Sequence, residues 1–389
     1  MCGWTDSVWT VGIVRIALIA ETFTPSVNGV VNSVLHVADN LARRGHSPVV
    51  IAPSGADYRS RSGHRIEVVT VPSMTMPGYA QLDVARPSLD LVPILDRVRP
   101  DVIHLASPAV LGWAAVRAAA ELDIPVVAIY QTDLSAFARR YHFMLSTRLV
   151  WARLRRIHNA ADLTLVPSSA SAHQLTEQRI GPLAHWSRGV DTALFDPARR
   201  DESWRRDVGQ GRMIVGFVGR LAPEKRVHLL EPVSRLPGVR LVVIGDGPRR
   251  RSLERLMPAA VFTGQLIGED LGRAMASLDV LVNTGADETF CQVVQEALCA
   301  GVPVIAAASG GPLDLVTHGR NGLLWEGADP DILAAHVSAL RDDPTGRARL
   351  ALRARPAVVH RTWAHLTDQL LGHYTQVIDA RQRSLQRAS

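Results

Sequence analysis

Residues 278–307 read LDVLVNTGADETFCQVVQEALCAGVPVIAA, and this stretch decides the fold class. The apolar, β-branched runs at its two ends are typical of buried strands, and the segment between them has the apolar spacing of a helix. A strand, a helix and a second strand in that order form the unit of a parallel sheet covered by helices. Glu288 and Glu296 lie eight positions apart in the intervening segment. Acids that follow a strand in such a sheet lie where ligands bind.

The same alternation of strands and helices extends along the chain of 389 residues. Strand-like runs occur at 14–21, 47–53, 65–72, 101–107, 125–131, 162–168, 213–219, 239–247, 260–264, 278–284 and 302–307. The polar segment at 187–210 has no periodicity and separates two series of runs. We therefore predict an α/β protein with two Rossmann-like, doubly wound parallel-sheet domains that face each other across a cleft.

The predicted parts have the following bounds. Residues 1–13 form a loose N-terminal extension, 14–190 the first domain, 191–365 the second domain, and 366–389 a C-terminal helix that packs back toward the first domain. Apolar residues make up 47% of the chain and charged residues 21%, which is typical of a globular protein.

Charge and cysteine content narrow the range of partners. The net charge of +6 and the pI near 9.8 favour acidic partners, namely nucleic acid, anionic lipid or phosphorylated substrates. Cys2, Cys291 and Cys299 form no metal-ligand cluster and no disulfide framework, which suits a reducing compartment such as the cytosol. No run reaches the ~18 uninterrupted apolar residues of a membrane span.

Candidate binding residues in the first domain follow predicted strands. Gly29 comes after Asn28, a good helix N-cap, and would let a ligand approach the backbone at a helix N-terminus; an ordinary strand–turn–helix cap is the alternative. Gln131 and Asp133 lie at the end of a later strand and are predicted to point toward the cleft.

A basic amphipathic stretch follows at 139–156. Its cations are Arg139, Arg140, Arg148, Arg153, Arg155 and Arg156, interleaved with large apolar side chains. This pattern is typical of binding to a membrane surface or an anionic acceptor, and equally of a core-facing helix with a solvated basic face.

In the second domain, Gly219, Arg220 and Lys225 follow a strand. Two cations at that place can neutralise the charge that grows on a diphosphate leaving group, although a surface turn with unrelated basic residues would look the same. Gln265, in the loop after another strand, is a candidate for contacting a base edge. Residues 243–247 begin like a dinucleotide fingerprint, but Arg250 stands where the third glycine is needed.

The opening stretch supplies the remaining candidates. We predict that Glu288 projects into the cleft. Thr289, Phe290 and Cys291 are predicted to open the next helix and to offer backbone N–H groups to phosphate. Glu296 is predicted to accept hydrogen bonds from ribose hydroxyls. In residues 328–333, ADPDIL, Asp329 is predicted to cap a helix rather than bind metal.

These residues carry a resemblance to a known family. GRLAPEKR, VVIGDGP and the E-x7-E pattern resemble the retaining glycosyltransferases of family 4, which have the GT-B fold, over nearly the whole chain. ETFTPSVNGVVNSV, YQTDLSAFARRY, SRGVDTALF and GGPLDLV look more narrowly like the actinobacterial GDP-mannose-dependent α-mannosyltransferases that act on membrane glycolipids.

The resemblance implies roles for the candidate residues. Arg220, Lys225 and Gly29 would lie at the donor diphosphate, Glu288 at the donor sugar and Glu296 at the ribose. Members often carry a histidine where this chain has Gln131, so Gln131 or Asp133 would take its place. Retention without an evident nucleophile implies front-face attack, with the acceptor proton passing to a donor phosphate oxygen.

The expected function is α-mannosyl transfer from GDP-mannose to a membrane glycolipid of the cell envelope. A UDP-sugar donor, sulfoquinovosyl or glucosyl, is the alternative. We expect no cofactor, no metal and no nucleic-acid partner, but an anionic membrane surface as a partner and a location in the cytoplasm or at the inner membrane face. A nicotinamide oxidoreductase is disfavoured by the missing third glycine, and a nucleic-acid binder by the 5% of aromatic residues.

Overall fold

The computed structural model describes residues 12–26, 28–76, 79–86, 88–106, 108–131, 147–326 and 329–388. An eight-stranded sheet lies in the first half of the chain and a six-stranded sheet in the second half. The pairs within these sheets are parallel, except for the short antiparallel pair at one edge of the first sheet. This architecture confirms the predicted fold class.

Strands and helices alternate along the chain. The strands are β1 (Arg15–Ile19), β2 (Ser47–Ala52), β3 (Tyr58–Arg59), β4 (Arg65–Thr70), β5 (Ser73–Met76), β6 (Tyr79–Ala85), β7 (Val102–Leu105), β8 (Val126–Ile129), β9 (Leu163–Val166), β10 (Leu183–His185), β11 (Met213–Val218), β12 (Val239–Ile244), β13 (Val261–Gly264), β14 (Val280–Asn283), β15 (Val304–Ala307) and β16 (Gly322–Trp325). The helices are α1 (Gly29–Arg43), α2 (Val92–Val98), α3 (Val110–Leu122), α4 (Thr147–His158), α5 (Ser169–Glu177), α6 (Glu202–Gly209), α7 (Glu231–Ser234), α8 (Arg250–Leu256), α9 (Gly268–Ala276), α10 (Gln292–Cys299), α11 (Pro330–Asp342), α12 (Pro344–Ala354) and α13 (Trp363–Ala388).

The strand order creates one switch point in each sheet. The first sheet has the order β10-β9-β8-β7-β1-β2-β4-β3 and the second β13-β12-β11-β14-β15-β16. The chain therefore reverses its direction of winding between β1 and β7 and between β11 and β14. Loops that follow these strands at their carboxyl ends part at the switch point and leave a crevice for a ligand.

Burial of both sheet faces explains the near-continuous apolar strands. In β1, Ile16 and Leu18 pack in one core cluster with Val34 of α1, whereas Ala17 packs in a second cluster with Leu111 of α3. Successive side chains of a strand point to opposite faces, so a strand covered on both sides has no polar face.

Two predicted helix caps are confirmed. Asn28 Oδ1 accepts hydrogen bonds from the backbone N–H groups of Val30 and Val31, both at 3.0 Å, and α1 begins at the next residue. Asp329 accepts from the N–H of Asp331 at 2.9 Å, with Pro330 at the first helical position. Each side chain satisfies a backbone donor that the first turn of a helix leaves open.

The last helix, α13, packs on the first sheet. Trp363, Leu366, Leu370 and Tyr374 lie in the same core cluster as β1. Tyr374 Oη lies 2.5 Å from His104 Nδ1 in β7, and the Trp186 indole N–H donates to the Leu366 carbonyl at 2.8 Å. The chain thus returns to its first half after completing the second sheet.

Five short strands were absent from the sequence-based prediction. They are β3, β5, β6, β10 and β16, and each lies at a sheet edge or in the separate β5–β6 pair. Edge strands of two to seven residues lack the long apolar run that marks a central strand.

Candidate active site

Three strand-end loops of the second sheet are joined through their backbones. The Leu221 N–H donates to the Asp246 carbonyl and the Gly245 N–H to the Gly264 carbonyl, each at 2.8 Å. A Cβ on Gly245 would lie 2.0 Å from the carbonyl oxygen of Gly219, and one on Gly247 would lie 2.6 Å from that of Leu221. Since these glycines serve close packing between loops, the incomplete dinucleotide fingerprint has a structural explanation.

Lys225 and Glu288 face each other across the switch point of the second sheet. Lys225, in the loop after β11, places Nζ 2.5 Å from Glu288 Oε1 in the loop after β14. The Thr284 hydroxyl donates to the Lys225 carbonyl at 2.5 Å and joins the same two loops. Burial alone would lower the pKa of Lys225, but the charge and hydrogen bond of Glu288 raise it above its usual value. Lys225 is therefore a cation at neutral pH.

Lys225 is also the only lysine in the sequence, although Lys and Arg together number 43. A chain that uses arginine at every other basic position keeps lysine at the strand end that faces Glu288. Lysine offers a compact point charge, unlike the planar fork of arginine. This composition signal singles out Lys225 from the sequence alone.

Arg220 lies five residues before Lys225 in the same loop. Its side chain is exposed, and it forms no ion pair with a carboxylate in the described part of the chain. Gly219 precedes it with φ +151°, which brings the backbone around the end of β11. The guanidinium is thus exposed in the loop that follows β11.

The loop after β15 supports Glu288 by close contact. The Gly311 N–H donates to the Glu288 carbonyl at 2.8 Å, and a Cβ on Gly310 would lie 2.3 Å from that oxygen. A Cβ on Gly311 would lie 2.3 Å from the Cα of Phe290. The two glycines were noted only as part of a motif, and the structure shows that they let two loops meet behind Glu288.

The start of α10 corrects one prediction. Thr289, Phe290 and Cys291 do not open the helix, because Cys291 has the left-handed φ of +70° and α10 begins at Gln292. Phe290 and Cys291 are buried in the core cluster of the second domain, and burial raises the pKa of the Cys291 thiol. Any contact of these two residues with a donor would come from the main chain.

Glu296 lies in the second turn of α10 and is partly exposed. Burial raises its pKa to about 7, although a hydrogen bond from Gln292 and the charge of Arg188 act in the opposite direction. Its carboxylate is thus poised between the two protonation states near neutral pH.

Gln131 joins the first domain to the loop of Glu288. Its main-chain carbonyl accepts from the Thr289 hydroxyl at 2.8 Å, and its side-chain Nε2 donates to the Ala106 carbonyl at 2.6 Å. The side chain is 7% exposed, and its Oε1 has no hydrogen-bond partner in the described ranges. A buried amide oxygen without a partner is costly, so Gln131 Oε1 is a candidate acceptor for a ligand hydroxyl. Asp133 lies outside the described residues.

Arg188 was missed as a site residue, although the motif SRGVDTALF contains it. It is 8% exposed, and its Nη2 donates to the Gly29 carbonyl at the start of α1. Its own carbonyl accepts from Gln295 Nε2 of α10 at 2.8 Å. Arg188 therefore bonds Gly29 in the first domain and α10 in the second, the two places where donor contacts were predicted.

The described part of the basic stretch matches one of its two predicted alternatives, a core-facing helix with a solvated basic face. Helix α4 buries Trp151, Leu154 and Ile157. Arg153 and Arg156 lie over the Trp113 ring, with their guanidinium carbons 4.9 and 5.6 Å from its centroid.

The other residues of that stretch differ in exposure. Arg155 donates to Gln178 at 3.2 Å. Arg148 and Leu149 are exposed at the first turn of α4. Arg139 and Arg140 lie outside the described residues.

Three further observations concern Gln265, metal binding and membrane helices. Gln265 is exposed in the loop after β13, next to Gly264 with φ +78°. No group of three or more His, Cys, Asp or Glu side chains that could hold a metal occurs in the described ranges. None of the helices that the structure describes is long and apolar enough to cross a membrane.

Two parallel-sheet domains, with a lysine–glutamate pair at the switch point of the second, have the architecture of a glycosyltransferase of the GT-B fold. The profile "Glycosyltransferase Family 4" matches residues 27–194, and "Glycosyl transferases group 1" matches residues 212–343. A GDP-mannose-dependent alpha-mannosyltransferase of Mycobacterium tuberculosis is 46% identical over 94% of this chain and 97% of its own length. The chain belongs to this family of GDP-mannose-dependent alpha-mannosyltransferases.

A more distant relative and a solved structure are also similar to this chain. A sulfoquinovosyl transferase of Arabidopsis thaliana is 33% identical over 92% of this chain and 72% of its own length. The sucrose-phosphate synthase of Thermosynechococcus elongatus has a TM-score of 0.80 at 20% identity, over 94% of this chain and 100% of its own. The second likeness confirms the fold alone.

Proposed function

We propose that the protein transfers an α-mannosyl group from GDP-mannose to a membrane glycolipid, with retention of configuration. The observation that carries the proposal is the Lys225–Glu288 pair at the switch point of the second sheet, in a chain 46% identical to an enzyme of that name. A cation for the diphosphate and a carboxylate for the sugar are the two charges that this reaction needs.

The reaction breaks the bond between the mannosyl C1 and the β-phosphate oxygen, and it forms a bond from C1 to the acceptor oxygen. The acceptor proton passes to a phosphate oxygen, and GDP leaves. Arg220 and Lys225 balance the charge that grows on the diphosphate, while Glu288 binds sugar hydroxyls and keeps the Lys225 amine in place. No protein nucleophile takes part, so the side chains act by positioning and by charge.

Gln131 is proposed to orient the donor sugar. Its unpartnered Oε1 can accept a hydrogen bond from a sugar hydroxyl, while Nε2 stays bonded to Ala106. The contact between Thr289 and the Gln131 carbonyl keeps this amide close to the loop of Glu288. Asp133 is retained as a second candidate in the same segment of the sequence.

The lipid acceptor and the membrane surface are proposed from helix α4. Leu149 is 57% exposed, and Arg148 and Arg156 are exposed on the same helix. An apolar side chain flanked by cations fits the headgroup region of an anionic bilayer. On this proposal the protein works at the cytoplasmic membrane face.

Co-sedimentation with liposomes tests the membrane surface. Replacing Arg148 and Arg156 by Glu should strongly reduce binding to anionic liposomes, because each cation near such a surface contributes about 1 kcal/mol. Replacing the exposed Arg251 and Arg255 of the second domain by Glu makes the same charge change and should leave binding nearly unaltered. Equal losses in both variants would show that only net charge matters and would refute the α4 surface.

A direct transfer assay tests the proposed donor. Purified protein is incubated with GDP-mannose, UDP-glucose or UDP-sulfoquinovose and a glycolipid extract, and the labelled lipid product is quantified. The proposal predicts transfer from GDP-mannose. Transfer from a UDP-sugar instead would establish the alternative donor, which the 33% identical sulfoquinovosyl transferase makes worth testing.

A further inference from the structure

We propose that Arg188 is a donor-binding residue that contributes a third positive charge to the diphosphate. This inference rests on the proposed function, since it assigns a ligand of the same site. Arg220 and Lys225 belong to the second domain, whereas Arg188 reaches the start of α1 in the first domain through Gly29.

The geometry places the guanidinium at a helix N-terminus with donors to spare. Nη2 is bonded to the Gly29 carbonyl, and Nη1 lies 3.2 Å from the position that a Cβ on Gly29 would occupy. Nε is buried and has no hydrogen-bond partner within the described ranges. Although Asn28 already binds the N–H groups of Val30 and Val31, the positive end of the α1 dipole and the guanidinium both favour an anion at this place.

The charges of two carboxylates indicate which part of the donor lies near Arg188. Burial lowers the pKa of Arg188 to about 10, and the charges of Glu296 and Glu288 act in the opposite direction. Both carboxylates therefore influence Arg188, yet neither forms an ion pair with it. Glu296 is the proposed ribose contact and Glu288 the proposed sugar contact. In a nucleotide sugar, the group between ribose and sugar is the diphosphate.

An unpaired cation that is buried in the absence of ligand destabilises the protein until an anion arrives. The diphosphate supplies that anion, so part of the donor's binding energy would come from relief of this penalty. The same contact would join the first domain to the donor, because the guanidinium is bonded to Gly29.

Calorimetric titration with GDP and with guanosine tests the inference, using wild type, Arg188→Gln and Arg188→Lys. Guanosine has the same base and ribose but no phosphate. We expect Arg188→Gln to weaken GDP binding about 10- to 100-fold, as for loss of a charge-assisted hydrogen bond. Guanosine binding should change less than about threefold, and Arg188→Lys should lose less GDP affinity than Arg188→Gln.

Arg355→Lys serves as a matched control. This arginine also bonds backbone carbonyls, those of Phe195 and Cys299 at 2.8 and 2.6 Å, but it pairs with Asp196. Its replacement should lower thermal stability and leave GDP affinity unchanged. Three outcomes would overturn the inference. The Arg188 variants could lose GDP and guanosine affinity in parallel, they could lose neither, or both variants could fail to fold. Wild-type protein that binds neither GDP nor UDP would instead refute the proposed function.

Discussion

Replacing Glu296 by Gln should stabilise the protein and weaken donor binding at the same pH. Burial raises the pKa of Glu296 from 4.5 to about 7. The folded protein therefore holds a proton on this carboxyl that the unfolded chain releases more easily. Glutamine keeps the shape and one acceptor oxygen of the side chain but carries no charge to desolvate.

The sign and size of the stability change follow from the difference between the pKa values of Glu296 in the folded and unfolded states. Because the pKa is higher in the folded state, the free energy of unfolding falls as pH rises from about 4.5 to about 7, and the loss is complete above pH 7. The full difference corresponds to about 3 kcal/mol at about 1.4 kcal/mol per pKa unit. Solvent reaches part of the side chain, so we expect Glu296→Gln to be more stable than wild type by about 1–2 kcal/mol at pH 8 and by about zero at pH 4.5.

Urea unfolding at pH 4.5 and pH 8, with GDP titration at pH 8, measures both effects. GDP affinity should fall about tenfold, since an ionised acceptor of ribose hydroxyls is replaced by a neutral one. Glu67→Gln, an exposed carboxylate of β4, is the control and should change neither quantity. A Glu296→Gln protein that is less stable at pH 8, or a difference that does not vary with pH, would refute the argument. Unchanged GDP affinity would remove Glu296 from the ribose site.

Three further predictions concern the loops and the chemistry. Gly310→Ala and Gly319→Ala both place a Cβ on a residue with positive φ, which costs each variant about 1 kcal/mol or more. Only Gly310→Ala also brings that Cβ to 2.3 Å from the Glu288 carbonyl oxygen, so only its kcat should fall by tenfold or more. Equal rates in the two variants would contradict this role of Gly310. Treatment with pyridoxal phosphate and then borohydride should inactivate the enzyme by labelling Lys225, the only lysine, and bound GDP should protect it. Mass spectrometry of the labelled peptide identifies the modified residue. Label confined to the N-terminal amine would contradict the placement of Lys225 at the donor diphosphate. Dialysis against EDTA should leave the transfer rate within about twofold, because arginine and lysine carry the diphosphate charge; loss restored by Mg²⁺ or Mn²⁺ would refute the metal-free proposal.

The fold class was predictable from the sequence because the apolar runs of the strands and their alternation with helices are local signals. Eleven apolar runs matched strands, and the carboxyl ends of parallel strands necessarily share one edge of a sheet. It follows that the loops of Lys225 and Glu288, after β11 and β14, could be expected to meet. Edge strands such as β16 could not be predicted from the sequence, since a run of four residues at a sheet edge resembles a loop.

The remaining parts of the site depend on contacts between distant segments. The position of Arg188 beneath α1 follows from packing of the linker against both domains, which no local pattern encodes. The left-handed φ of Cys291 also lacks a local signal, because cysteine has no preference for that region. The residues just before Cys291 are contacted by the loop after β15, where Gly310 and Gly311 pack against residues 288–290.

The most direct test of the central claim is the anomeric configuration of the product. The purified protein is supplied with GDP-mannose labelled with carbon-13 at C1 and with a glycolipid acceptor, and the C1–H1 coupling of the new linkage is read by NMR. The account predicts an α-mannoside, formed at a rate that falls at least about 100-fold in Lys225→Met. A β-mannoside, or α-mannoside formed at an undiminished rate by Lys225→Met, would contradict it.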